Sequence, residues 1–235
     1  MIIHGKDLPE INEKTKYDVI ILAGQSNAVG FGTGETLYPF TPSDEMLEII
    51  DTFPIRFDVG EDGKSKLVMP MPPEICLRKL QDRFAYERNN ACLANAFAEG
   101  YINRGYLNSG RKLLVIKTAV GGTGFTKRHW TRDGVCREKM YHMINEAKAL
   151  SDDMRITAFL WHQGEHDAFE RPERTYEERK AFYEKEFSEF ISEVRDRLGG
   201  DFPIICGEFS QKWMAENKEA CDAVLSGMSA ALDKD

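Results

Sequence analysis

Four short apolar runs, each bounded by turn residues, stand out along the chain: Tyr17–Ala23, Leu113–Ala119, Ile156–Trp161 and Pro203–Gly207. They are apolar almost throughout instead of alternating, the pattern of strands covered on both faces of a parallel sheet. Between and after them the period lengthens to that of helices. Ala94, Phe97, Ala98 and Tyr101 recur at i, i+3, i+4, i+7 behind a cap at Asn89 or Asn90. Tyr176, Tyr183, Phe187, Phe190, Ile191, Val194 and Leu198 form one stripe of a long charged helix, with Pro172 near its start and Gly199-Gly200 at its end. Val224, Leu225, Met228 and Leu232 mark a terminal helix. Strands alternating with helices predict an α/β fold, a three-layer α/β/α sandwich around an open, mostly parallel sheet.

Residues 35–88 break this rhythm with Pro39, Pro42, Pro54, Pro70, Pro72 and Pro73. They are expected to be an irregular excursion over the surface, including a strand near Ile55–Val59, and a loop that long often forms a lid or a binding wall. The rest reads as a single domain over residues 1–235, with no repeat or low-complexity tract.

Composition narrows the function classes. Apolar residues make up 42% and aromatics 11% of the 235 positions, enough for a full core. The mean hydropathy of -0.45 and the absence of an 18-residue apolar run speak against a membrane span. A net charge of -8 argues against a nucleic-acid partner, which would want a basic face. Residues 1–16 carry scattered charges and no apolar h-region, so the sequence as it stands reads as cytoplasmic, with secretion only if a leader has been removed. Cys76, Cys92, Cys136, Cys206 and Cys221 are odd in number and never spaced as CxxC, which reads as buried thiols in a reducing compartment. No heptad or exposed apolar stripe assigns an oligomeric state.

Chemistry concentrates at three strand ends, where ligands bind in open α/β sheets. The first text is Gly24-Gln25-Ser26-Asn27-Ala28-Val29-Gly30. Ser26 there sits on a strand-to-helix turn, placed either as an exposed nucleophile with backbone donors around it or as a helix N-cap. The second is Ala119-Val120-Gly121-Gly122-Thr123-Gly124-Phe125, where paired glycines bring a backbone N–H close to a ligand or simply make a tight turn. Its spacing is not that of a phosphate-binding GxxxxGK[ST] loop.

The third text, Trp161-His162-Gln163-Gly164-Glu165-His166-Asp167-Ala168, gathers an amide, two carboxylates and two imidazoles. His162, Glu165 and His166 spell H-x-x-E-H, an inverted zinc-peptidase motif. That motif needs both imidazoles on one helix face, whereas a strand runs straight into this one, Gly164 interrupts it and the helix is expected only after Pro172. A metallopeptidase is therefore the remote alternative.

Taken in order, the GQSN block at Gly24–Asn27, the GGT block at Gly121–Thr123 with Trp130 downstream, and WHQGEHDA at Trp161–Ala168 resemble the SGNH/GDSL hydrolase superfamily. More narrowly they resemble its sialate O-acetylesterase and acetylxylan esterase (carbohydrate esterase family 6-like) branch, over roughly Tyr17 to Glu208. The resemblance implies the flavodoxin-like SGNH hydrolase fold and a serine esterase that removes acetyl groups from a carbohydrate, with no metal or organic cofactor. It implies Ser26 as nucleophile, with oxyanion donors at Ser26 N–H, the Gly121-Gly122 pair and the Gln163 side chain, and Glu165 as an acid supporting the catalytic histidine. Gln25, Asn27, Thr123, His129, Trp130, His162 and Asp167 are expected to line the substrate pocket. Phe31, Tyr38, Phe125 and Trp130 offer aromatic faces for stacking on sugar rings.

One departure stands out. The resemblance implies a further C-terminal strand and a D-x-x-H block, and no histidine follows His166 before Asp235. A truncated chain and a catalytically degenerate, carbohydrate-binding one both fit. The closing helix pattern favours truncation, and His129 is the next candidate base within the sequence.

Overall fold

All four apolar runs form strands of one sheet in the computed structural model, which describes residues 2–5, 8, 11–30, 43–52, 56–59, 65–80 and 93–235. They are β2 (Lys16–Gly24), β7 (Arg111–Lys117), β8 (Met154–His162) and β9 (Ile204–Cys206). Three further strands join them: β1 (Ile2–His4), β3 (Met46–Asp51) and β6 (Ile75–Lys79). The seven-stranded sheet has the order β1-β6-β3-β7-β2-β8-β9. Every neighbouring pair is parallel except β3 with β6. β4 (Arg56–Val59) and β5 (Ser65–Val68) make a separate antiparallel hairpin.

The described part of residues 35–88 is strand-rich: β4 lies where a strand near Ile55–Val59 was expected, and β3, β5 and β6 go beyond that expectation. The signal was present but partly hidden by charge. Glu48 is fully buried inside β3, yet it accepts ion pairs from Lys117 (2.6 Å) and Arg78 (2.7 Å) on the two flanking strands. A buried charge paired on both sides keeps a strand intact where the residue type alone argues against one.

The helices are α1 (Ser26–Val29), α2 (Leu93–Asn103), α3 (Val135–Lys148), α4 (Glu165–Phe169), α5 (Tyr176–Leu198), α6 (Gln211–Glu216) and α7 (Lys218–Leu232). Alternate side chains of each strand face opposite layers. Tyr17, Val19, Ile21 and Ala23 of β2 pack with Met140 of α3, Phe187 and Phe190 of α5 and Val224 of α7. Ile20 and Leu22 pack with Ala28 of α1 and Ala94 and Ala98 of α2. Both faces of the sheet are therefore covered, and the three-layer α/β/α sandwich stands.

The long helix follows its sequence punctuation: Thr175 and Glu178 form a capping box, and Gly199 ends it at φ 66°. Two helices depart from expectation. α3 was not foreseen, although Cys136, Met140, Met143, Ile144 and Ala147 are buried along it at helical spacing. α4 begins at Glu165, ahead of Pro172. The cap expected at Asn89 or Asn90 lies outside the described residues, as do Phe31, Tyr38 and Cys92. Cys76, Cys136, Cys206 and Cys221 are unpaired thiols. Burial pushes Cys136 and Cys206 up to about 12, which makes both poor nucleophiles.

Candidate active site

The three chemical texts meet because their strands are neighbours. β7, β2 and β8 lie side by side in parallel, so their carboxyl ends finish at one sheet edge. The ends are laced by backbone bonds: Gln25 N–H donates to His162 O (3.0 Å) and Val120 N–H to Gly24 O (3.0 Å). Gly24 sits at φ 133°, and a Cβ there would stand 2.2 Å from His162 O, so only glycine lets β2 turn into α1 against β8.

That turn delivers Ser26. It is the first residue of the four-residue α1, behind Gln25 as N-cap. The capping alternative is therefore not realised, since the N-cap position belongs to its neighbour. Ser26 is half-buried, and neither its N–H nor its hydroxyl bonds to another described residue. The residues on either side are fastened: Gln25 Nε2 donates to Glu165 Oε2 and Asn27 Nδ2 to Glu165 Oε1, both at 2.5 Å. Glu165, 9% exposed at the start of α4, thus clamps the serine turn from β8's side. Charge-assisted bonds to both flanking amides fix the turn more firmly than neutral ones would.

The glycine loop after β7 is shaped by polar groups beneath it. Gly121 is half-buried and Gly122 exposed at φ 70°, and no described residue accepts from the N–H of either. Thr123 below them is fully buried; its hydroxyl donates to Val120 O (2.6 Å) and accepts from Trp130 Nε1 (2.9 Å). Trp130 is fully buried too, edge-on to Trp161 and Phe190. Thr123 and Trp130 therefore staple the loop from inside and do not line a pocket, contrary to expectation. Phe125, 1% exposed among Trp161, Tyr183, Phe187 and Phe190, is likewise closed to a sugar.

Asp167 and Gln163 are used in the same inward way. Asp167 is 1% exposed and accepts from Phe125 N–H (3.0 Å), Thr126 N–H (2.7 Å) and Gln163 Nε2 (2.8 Å). Gln163 is fully buried. Its amide also donates to Thr123 O (3.1 Å), and its side-chain oxygen accepts from Tyr183 Oη (3.0 Å). Both N–H groups of Gln163 are therefore committed, and this geometry leaves none for an oxyanion. Tyr183, read from sequence only as part of a core stripe, proves to be a polar anchor: it also accepts from Trp161 Nε1 (3.1 Å). Arg179, unnoticed in the sequence, donates to Asp167 O, Glu170 O and Arg171 O and so holds the end of α4.

The histidines of the motif separate. His162 ends β8 with Nε2 3.8 Å from Glu165 Oε1, while His166, on α4, faces Glu170 (3.4 Å). The H-x-x-E-H residues therefore span a strand end and a helix start, the arrangement that makes a shared zinc face unsuitable. Among the described residues no group of three or more His, Cys, Asp or Glu is placed to hold a metal ion.

His129, the candidate base within the sequence, is 8% exposed and its Nδ1 accepts from Gly124 N–H (3.3 Å). Burial first, then the nearby His166 and Lys127, lower its pKa from 6.5 to about 4. Unfolded, the imidazole takes its proton near 6.5; folded, it resists until near 4. Between those values the unfolded chain binds more protons, so stability falls as pH is lowered through that window. His129→Asn, which keeps an acceptor for Gly124 N–H and removes the titration, is expected to flatten the melting temperature between pH 6.5 and 4. Thermal melts of both proteins across that range check this, and parallel curves would contradict it.

A three-layer sandwich with a serine turn, a glycine loop and a QGE text at adjacent strand ends defines the SGNH-like carbohydrate-esterase class of fold. The family model for SASA, "Carbohydrate esterase, sialic acid-specific acetylesterase", matches residues 16–232, and the chain belongs to that family. No curated protein matches the chain. The crystal structure of NanS is similar over 93% of this chain and 75% of its own, at 18% identity and a TM-score of 0.66. A protein from Arabidopsis thaliana is similar over 89% of this chain and 79% of its own, at 20% identity and 0.59. XAC1771, a carbohydrate acetylesterase from Xanthomonas citri, is similar over 92% of this chain and 47% of its own, at 15% identity and 0.53. At these identities the solved structures establish the fold, and the family match places a carbohydrate ester as the class of substrate. No helix among the described residues is long and apolar enough to cross a membrane.

Proposed function

We propose that the chain is a serine esterase that removes O-acetyl groups from a carbohydrate of sialate or xylan type through an acyl-enzyme on Ser26. One observation carries this reading: among the described residues, a half-buried serine hydroxyl without a partner stands at the same sheet edge as the N–H groups of Ser26, Gly121 and Gly122, for which no described acceptor is present. Nucleophilic acyl transfer needs that combination of an available oxygen and fixed backbone donors.

In this reading Ser26 Oγ bonds to the ester carbonyl carbon and its proton passes to a histidine base. The carbonyl oxygen takes up negative charge and is held by the backbone donors, each worth about 2.7–4 kcal/mol of barrier in such sites. Collapse breaks the bond to the sugar oxygen, which leaves with the base's proton. Water then attacks the acetyl-serine in the same manner, and acetate and free Ser26 result. Glu165 acts as a positioning residue for the serine turn, and Gln163 positions the glycine loop through Thr123 O.

This reading requires a base of the D-x-x-H type that the sequence resemblance implies, a block that residues 1–235 do not contain. Among the described residues no histidine hydrogen-bonds Ser26 Oγ. His129, already accepting from Gly124 N–H and titrating near 4, is a weak candidate. The same observation favours one second reading, a protein that binds acetylated carbohydrate without turnover. Acetate release from an O-acetylated sugar, followed enzymatically, separates the two. Steady release supports the esterase, and sugar binding without release would replace it with the binding protein.

A further inference from the structure

One exposed aromatic side chain reaches the candidate site from an element that carries none of the three motifs. In the β4–β5 hairpin Phe57 pairs with Leu67, so the two side chains share a face. Leu67 is buried in the core on the α3, α5 and α7 side of the sheet, which pins the hairpin to the body. Phe57 lies further out and is 46% exposed. Its ring tip rests against the glycine loop: a Cβ on Gly122 would stand 3.3 Å from Phe57 Cζ and 3.7 Å from Cε2. One end of the ring therefore touches the proposed oxyanion loop while the remainder faces solvent.

We propose that Phe57 is a specificity-determining residue that stacks against the C–H face of the sugar ring bearing the acetyl ester. This rests on the esterase reading, because it takes Gly122 as an oxyanion donor. A carbonyl oxygen held about 2.9 Å from that N–H brings the ester beside the ring. The acetyl methyl is too small to cover the exposed ring, whereas a pyranose presents a flat apolar face of suitable size. Of the aromatic residues first expected to do this, Phe125 and Trp130 are closed within the core and Phe31 and Tyr38 lie outside the described residues, so Phe57 is the exposed aromatic in contact with the loop among the described residues. Phe57 carries no acid, base or donor, so its contribution falls on sugar binding and leaves the bond-making steps alone.

The test compares wild type, Phe57→Ala and Phe57→Trp on an O-acetylated methyl glycoside and on ethyl acetate, which has the ester without the sugar. Phe57→Ala is expected to raise KM for the glycoside about three- to tenfold, with Phe57→Trp restoring it. For the same variant, kcat on the glycoside and kcat/KM on ethyl acetate should stay within about twofold of wild type. Equal losses on both esters, or an unchanged KM for the glycoside, would overturn the proposal. If wild type hydrolyses neither ester, the esterase reading fails separately, and calorimetric titration with the same glycoside decides. Weaker binding by Phe57→Ala alone then supports the sugar contact, and equal binding or no binding by wild type overturns it.

Discussion

Ser26→Ala is expected to lower acetate release by about 10⁴- to 10⁶-fold while leaving the melting temperature unchanged, the scale of loss when a serine hydrolase is deprived of its nucleophile. The separation of the two effects follows from the surroundings of the residue. Its hydroxyl bonds to no other described residue, so removing it orphans nothing and leaves no large cavity. The turn itself is held by Gly24 against β8 and by the amides of Gln25 and Asn27 on Glu165, none of which the substitution touches. Kinetics on an acetylated sugar and a thermal melt of the same preparation check both halves. A variant that keeps a tenth or more of the activity would mean that Ser26 is not the nucleophile, and one that melts several degrees lower would mean that Ser26 has a structural role.

Asp167→Ala is expected to destabilise the fold by about 3–5 kcal/mol, because two buried donors and one part-buried donor lose their acceptor at once. Phe125 N–H, Thr126 N–H and Gln163 Nε2 all end on this carboxylate. For a chain of this size the loss corresponds to a melting temperature lower by roughly 10 °C. Asp167→Asn is the sharper variant. Each carboxylate oxygen accepts at least one N–H, so whichever way the amide is turned its NH₂ meets a donor. It should therefore fall well short of wild type despite its matching shape. Activity should drop with stability in both variants, since the carboxylate holds the loop that carries Gly121 and Gly122. Thermal melts near those of wild type would contradict this role.

The contrast between these two residues marks what the sequence makes legible. A motif fixes residue types at strand ends, and parallel neighbouring strands then bring those ends together, so the meeting of Ser26, Gly121-Gly122 and Glu165 was readable. Side-chain direction was not. Gln163 and Asp167 look like exposed polar groups in a loop text, but Tyr183, twenty positions on from Gln163, and the backbone of the glycine loop supply partners that turn both inward. Aromatic residues misled in the same way: Trp130 and Phe125 sit beside the motif in sequence, yet packing against α5 draws them into the core. Phe57 was passed over as a sugar contact because, although a strand was expected near Ile55–Val59, nothing in that proline-rich stretch carries a motif that ties it to the glycine loop. β3 was hidden by Glu48, whose burial depends on Lys117 and Arg78 from strands far apart in the chain. Local pattern speaks for elements; long-range polar pairing decides which faces they present.

The most direct measurement is to quench the protein in acid during turnover of an O-acetylated sugar and locate the acetyl group by peptide mass spectrometry. One acetyl is expected on the peptide containing Ser26, accumulating during turnover and absent from Ser26→Ala. Turnover with no acetylated peptide, or with the acetyl on another residue, would contradict it.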